Sequence, residues 1–179
     1  MVAKKKVIMT SQDIERSLSR IALQILEKNQ PEDLAIIGIH TGGVFLAERI
    51  HQAIQVRENK LLPLGSLDIT LYRDDWSLAT QNPVVKKTDV TFSVEGKIII
   101  LVDDVIFTGR TIRAAMDAIM DFGRPKSIQL AVLIDRGGRE LPIRPDYTGM
   151  DIMVQNDQHI NVLLNENGDK DEVVLVKYP

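Results

Sequence analysis

The chain has 179 residues, a formal net charge of −3 and no cysteine, with 44% hydrophobic and 26% charged residues. That length suits one domain with a substantial core, and the missing thiols exclude disulfides, thiolate catalysis, iron–sulfur centres and cysteine-ligated zinc. The charge balance gives no global pull toward nucleic acid or an anionic membrane, no apolar run is long enough to span a bilayer, and the composition fits a reducing, cytoplasmic compartment.

The first ten residues carry the run Lys4-Lys5-Lys6 but lack the apolar stretch of a signal peptide. They are expected as a solvated tail leading into the first strand or helix. Thr10 or Ser11 can cap a helix, with Asp13 in its first turn. Ile14, Leu18, Ile21, Ile25 and Leu26 then recur at helical spacing until Asn29-Gln30-Pro31 ends the pattern. Leu34 to Ile39 is a short, nearly continuous apolar run, as in a strand covered on both faces. It breaks at His40-Thr41-Gly42-Gly43, and a helical pattern resumes through Val44, Leu46, Ala47, Ile50 and Ile54. This is strand, tight turn, helix, with glycines that let backbone N–H groups approach an anion.

Residues 67–72 alternate like a strand, then Arg73-Asp74-Asp75-Trp76 turns strongly polar. Little helical pattern follows up to Gly96, so an insertion at about 66–97 reads as a long loop or loose antiparallel hairpin, the kind often used as a lid. Lys97 to Val102 is a buried-strand pattern that runs directly into Asp103-Asp104. Phe107-Thr108-Gly109-Arg110-Thr111 follows, then a helix through Ile112, Ala115, Met116, Ile119 and Met120 that stops at Gly123 and Pro125. Two adjacent carboxylates at a strand end cost energy unless something positive or hydroxylated uses them. The hydroxyls, N–H groups and helix dipole behind them make a phosphate cradle. Neither a dinucleotide fingerprint nor a Walker loop is present. Ser127 to Ile134 reads as a core strand, and residues 160–164 and 172–176 as late strands around an Asn167-Gly168-Asp169 turn. His40, His51 and His159 have no ligand spacing, and Met116, Met120, Met150 and Met153 read as packing residues. The expected fold is a single α/β domain over 1–179, a mainly parallel sheet between helices with an antiparallel hood and a site at the carboxyl ends of the strands.

Ile99 to Thr111, IILVDDVIFTGRT, resembles the phosphoribosyl pyrophosphate signature of type I phosphoribosyltransferases. LDITLYRDD at 67–75, LVDDVIFTGRTIRAAMDAIMDFGRP at 101–125 and LAVLIDRGGRELPIR at 130–144 resemble the bacterial PyrR family. That resemblance implies a uracil phosphoribosyltransferase that forms UMP and pyrophosphate. It also implies a UMP-responsive RNA-binding regulator of pyrimidine operon attenuation, in a homo-oligomer.

By the same resemblance, Asp103 and Asp104 face the ribose hydroxyls, and Phe107, Thr108, Gly109, Arg110 and Thr111 form the 5-phosphate loop. His40, Thr41, Gly42 and Gly43 match the pyrophosphate loop, which in such enzymes often includes a strained or cis peptide. Residues 68–92 match the flexible hood, with Arg73 at its base. Asp135 and Arg136 stand near magnesium, pyrophosphate and base; Arg73 and Arg136 join the two acids as catalytic candidates. Arg136, Gly137, Gly138 and Ile143 match the uracil pocket, and Asp103, Asp104 and Asp135 the surroundings of Mg2+, held mostly through substrate and water. Ser19 and Arg20 match a pair linked with RNA binding. The chain departs from many relatives at three places: it has His-Thr-Gly-Gly for Lys-Thr-Arg-Gly at 40–43, Gly138 for a histidine and Met150 for a lysine. Two other readings stay open: an RNA-binding attenuator with little turnover, and a purine phosphoribosyltransferase with the same phosphate apparatus.

Overall fold

Thr10 begins the first helix for a local reason. Its hydroxyl accepts from the Asp13 N–H at 3.3 Å, while the Asp13 carboxylate accepts from the Thr10 N–H at 2.9 Å. This reciprocal cap starts α1, Ser11–Lys28. In this computed structural model, residues 4–74, 86–155 and 157–177 are described. Preceding α1 is β1, Lys4–Thr10, which corrects the expectation of a solvated tail. Three successive lysines read as tail, yet they form an edge strand, where exposed lysine is tolerated because one side of the ladder faces water.

The remaining elements are β2 (Leu34–Ile39), α2 (Gly42–Glu58), β3 (Leu64–Leu67), β4 (Ile98–Ile106), α3 (Arg110–Met120), β5 (Ser127–Asp135), β6 (Tyr147–Asp151), β7 (Gln158–Leu163) and β8 (Glu172–Lys177). Five strands form a parallel sheet in the order β3-β2-β4-β5-β6. Side chains alternate across it. Leu34, Ile36, Ile98, Ile100 and Val102 meet α1 and α2 on one face. Ala35, Ile37, Ile39, Ile99 and Leu101 meet α3 and the base of the 66–97 segment on the other. The mainly parallel α/β expectation therefore holds, with helices on both faces.

Four expectations are corrected. The strand expected at 67–72 lies at Leu64–Leu67, and Thr70–Tyr72 is a 3-10 turn. The Asp68 carboxylate accepts from the Thr70 N–H at 2.8 Å and from its hydroxyl, bending the chain. Asp103 and Asp104 lie inside β4, which continues to Ile106. β6 was not foreseen, because Tyr147-Thr148-Gly149-Met150-Asp151 is a half-exposed edge strand without a clean apolar period. Met120 and Met153 are exposed instead of packed.

Antiparallel pairing also sits elsewhere than expected. Among the described residues, the 66–97 segment contributes one antiparallel bridge, Ser66 to Asp89. The antiparallel sheet is built from the two ends of the chain, in the order β1-β8-β7. Arg49 of α2 clamps it to the body, donating to Glu166 at 2.8 and 2.6 Å and to Asp171 at 2.8 and 3.0 Å. A buried triad of Asn29, Gln129 and Tyr147 fastens the end of α1 to β5 and β6. No helix among the described residues is long and apolar enough to cross a membrane.

Candidate active site

The central strand β4 delivers two carboxyl groups to one end of the sheet. Asp103 is 7% exposed. Its carboxylate accepts from the Asp104 N–H at 2.9 Å, and the Asp104 carboxylate accepts from the Val105 N–H at 2.7 Å. Among the described residues no cation pairs with either acid. Burial, then the neighbouring Asp104 charge, pushes the Asp103 carboxyl well above its ordinary range. Burial also raises Asp104, outweighing the main-chain hydrogen bonds it accepts. Two acids held this way are ready to accept hydroxyl donors or a cation.

Beyond β4 the chain enters the loop expected to take a phosphate. Gly109 has φ +91 and precedes α3, whose start has no side-chain cap and no acid in its first turn. The orphan N–H groups of that turn face outward with the positive end of the helix dipole. Thr108 accepts from the Arg110 N–H at 3.3 Å, and its carbonyl accepts from Glu140 and Leu141 at 3.0 and 3.1 Å. Thr111 opens the helix beside Arg110. The Arg110 guanidinium is engaged with Glu140, at 2.6 Å, and with Asp74. In this arrangement Arg110 brings a main-chain N–H to the loop and spends its charge on the flanking segments.

The loop at 40–43 lies directly on the acidic strand. The His40–Thr41 peptide is cis. A Cβ at Gly42 would collide with the Asp104 carboxylate, and one at Gly43 would lie 3.0 Å from the Asp103 Cα. Only glycine permits this approach. Thr41 precedes α2 without a side-chain cap, leaving a second open helix start. Residues 86–88 come back against this loop. The His40 ring lies 3.1 Å from the Lys87 carbonyl, the Asp68 N–H donates to Thr88 Oγ1 at 3.0 Å, and Lys86 Nζ donates to Thr41 Oγ1. Burial raises Asp68, but hydrogen bonds from Thr70 and Lys86 and the nearby His40 together hold it below the usual carboxylate value.

On the opposite flank, β5 ends in Asp135, whose carboxylate accepts from Arg139 at 2.5 Å and from the Gly137 N–H at 2.9 Å. Arg139 also donates to the Ile143 and Phe107 carbonyls at 2.8 and 2.9 Å. The Arg136 guanidinium stacks 4.0 Å over the Phe107 ring, joining the expected base side to the phosphate loop. Its Nε is buried without a partner among the described residues. Gly137 and Gly138 have φ +70 and +74. A Cβ at Gly137 would lie 2.8 Å from Met153 Sδ, and one at Gly138 would overlap the Phe107 ring. A groove of about 340 Å³ opens beside them, lined by Asp135, Gly137, Arg139, Arg144, Thr148 and Asp151.

Asp103, Asp104, residues 107–111, residues 40–43, residues 135–138 and Ile143 therefore gather at one end of the sheet, around β4. Arg73 follows the 3-10 turn at the base of the 66–97 segment. Asp75 and Trp76 fall outside the described residues. The resemblance places Arg139 at the edge of the uracil pocket; here it braces the 135–143 segment. Sequence reading missed one residue. Lys86 reaches the loop at 40–43 from 45 positions away, which no local pattern reveals.

Among the described residues, no group of three histidine, cysteine, aspartate or glutamate side chains converges. Asp135 is already bonded to Arg139. Magnesium keeps several waters and needs only one or two carboxylates beside phosphate oxygens, so the Asp103–Asp104 pair suits such an ion. Ser19 and Arg20 stand midway along α1. Arg20 donates to the Thr148 and Gly149 carbonyls at 3.1 and 2.6 Å, tying α1 to β6. Ser19 lines a groove of about 470 Å³ with Glu15, Arg49, Gln52, Val56 and Arg57.

Residues 6–166 match the model of the phosphoribosyl transferase domain. A curated relative called Bifunctional protein PyrR, from Thermoanaerobacter, is 55% identical over 97% of this chain and 98% of its own. Another of that name, from Deinococcus radiodurans, is 49% identical over 98% and 96%. Among solved structures, a Trypanosoma cruzi hypoxanthine phosphoribosyltransferase superposes with a TM-score of 0.72 at 18% identity, covering 97% of both chains. A Bacillus anthracis hypoxanthine-guanine phosphoribosyltransferase reaches 0.73 at 19%, covering 98% of this chain and 99% of that one. These two likenesses concern the fold.

Proposed function

The chain belongs to the bifunctional PyrR family of phosphoribosyltransferases, and on that premise we propose that it is a uracil phosphoribosyltransferase. It joins uracil N1 to C1′ of phosphoribosyl pyrophosphate, releasing pyrophosphate and UMP as the N1 proton is lost. The observation that carries this reading is the stacking of three elements: the adjacent Asp103–Asp104 pair, the glycine loop pressed against it, and the uncapped start of α3.

Each part has a task. The N–H groups around Gly109 and Thr111 hold the 5-phosphate, with Thr108 adding a hydroxyl and Phe107 bordering the loop. Asp103 and Asp104 accept the ribose hydroxyls, and their charge favours the positive ring that develops as the C1′–oxygen bond stretches. The main chain at 40–43 donates to the departing pyrophosphate. When bound, magnesium supplies charge neutralisation to that leaving group. Arg136, Gly137, Gly138 and Ile143 border the base, and the Arg136 Nε, unpartnered among the described residues, offers a donor there. Arg73 stands at the base of the hood over the reaction centre. Closing the site excludes water, which competes with uracil for the activated sugar.

The regulatory half of the proposal is binding of pyrimidine-operon leader RNA by a cytoplasmic homo-oligomer, across a surface to which Ser19 and Arg20 contribute, with UMP favouring the binding state. Arg20 is spent on β6 carbonyls, so its charge reaches RNA only from the outer edge of that contact. Steady-state assays with magnesium and phosphoribosyl pyrophosphate against uracil, hypoxanthine, guanine and adenine test the enzymatic half. UMP formation is expected with uracil alone. Absent UMP from folded protein defeats the reading, and purine turnover replaces it with salvage of purines.

A further inference from the structure

The loop at 40–43 faces a substrate group of high negative charge, yet its own side chains provide no lysine or arginine. Its N–H groups and the start of α2 provide dipoles only. A pyrophosphate esterified at C1′ gains charge as that bond breaks and it leaves as a free anion, so a cation beside it is worth more at departure than on arrival. Among the described residues, the ammonium that touches this loop is that of Lys86, which donates to the Thr41 hydroxyl.

Three further bonds hold Lys86 there. The Lys86 N–H donates to Asp68, the Asp68 N–H donates to Thr88 Oγ1 at 3.0 Å, and the His40 ring meets the Lys87 carbonyl at 3.1 Å. The main chain of 86–88 is thereby pinned to both neighbouring segments while the Lys86 side chain crosses toward the loop. No carboxylate pairs with its ammonium among the described residues. Asp68, which lies nearest in this network, is occupied by Thr70 and main-chain donors. Lys86 is thus a cation held by a neutral hydroxyl, at the place where an anion with several oxygens would replace that hydroxyl.

We propose that Lys86 is a pyrophosphate ligand, supplying from the hood the positive charge that the 40–43 loop lacks. This inference deepens the phosphoribosyltransferase reading and rests on it. Lys86 is exposed, so its replacement leaves the core untouched.

The test is titration of inorganic pyrophosphate with magnesium, by calorimetry, into the parent, Lys86→Gln, Lys86→Arg and Lys87→Gln, together with KM for phosphoribosyl pyrophosphate and for uracil. Lys86→Gln is expected to weaken pyrophosphate binding and to raise KM for phosphoribosyl pyrophosphate by about tenfold, with KM for uracil unchanged. Lys86→Arg should restore most of the loss. Lys87→Gln should match the parent, since Lys87 meets the loop through its carbonyl. The loss should shrink as salt rises, because one charge contact has gone. Pyrophosphate binding by Lys86→Gln equal to the parent's, in an enzyme that forms UMP, overturns this assignment and leaves the enzymatic reading standing. A parent that neither binds pyrophosphate nor forms UMP overturns both.

Discussion

Two clusters of ionisable side chains hold this molecule's charge in opposite ways. At the edge of the fold, Arg49 takes two carboxylates, Glu166 and Asp171, with side chains 22%, 27% and 15% exposed. The Arg49 guanidinium holds both acids below their ordinary values, and the acids in turn raise Arg49. At the centre, Asp103 is buried and Asp104 half-buried beside it, with no cation on either among the described residues, and both carboxyls are pushed up. The first cluster is complete and fastens the terminal sheet to α2. The second is incomplete until something is bound, which is how a site differs from a structural joint.

Within the open cluster the largest effect falls on Asp104. Asp104→Asn keeps shape and removes charge, so catalytic efficiency for UMP formation should fall by about 100-fold with little loss of stability. Equal kcat/KM in mutant and parent removes Asp104 from the reaction.

Arg49→Met reverses the pattern. It strands two part-buried carboxylates and should lower unfolding free energy by about 2 kcal/mol, measured by urea denaturation at pH 7, while kcat stays near the parent's. Because the folded values of Glu166 and Asp171 are depressed, their stabilisation is present above the unfolded carboxylate range and disappears as pH falls through the folded values. The gap between parent and mutant should therefore close in acid. A gap that is constant from pH 7 to pH 3 contradicts the assignment of the effect to charge.

On stability, Asp103→Asn should produce the smallest change, and with the opposite sign. A raised carboxyl keeps its proton in the folded chain where the unfolded chain has lost it. Folding stability in the absence of ligand then declines as pH rises from about 4 toward the raised folded value. The asparagine variant escapes that decline and should exceed the parent at pH 7.5 by about 1 kcal/mol, an advantage that vanishes near pH 4. Thermal unfolding across that range checks it; a parent that is the more stable at every pH refutes the burden placed on Asp103.

The same division governs what could be read without coordinates. The strand–acid–loop–helix run from Ile98 to Met120 was legible because its parts are consecutive: the apolar strand, the paired acids, Gly109 with its positive φ and the helix that follows all act on near neighbours. The α1 cap was legible for the same reason, three residues apart. Even there the boundary moved, since β4 runs on through both acids by pairing Asp103 with Val132 and Val105 with Ile134 on β5. The strand expected at 67–72 was misplaced because side-chain alternation weighs nothing against an Asp68 carboxylate that binds the next turn.

Sequence by itself determined the α/β class and the contiguous strand–acid–loop–helix run, because strand and helix periods and short loops are set by residues within a turn or two of one another; the family was legible through resemblance of those same contiguous motifs. Tertiary structure alone decided that the lysine-rich start is a strand against β8, that Arg49 binds the 166–171 segment, that Arg110 spends its charge on Glu140 and Asp74, and that Lys86 stands at the loop of 40–43. Those pairings join residues 30 to 173 positions apart. Chain proximity carries no trace of them, since they form only after burial of the two apolar faces of the parallel sheet has fixed where each loop emerges.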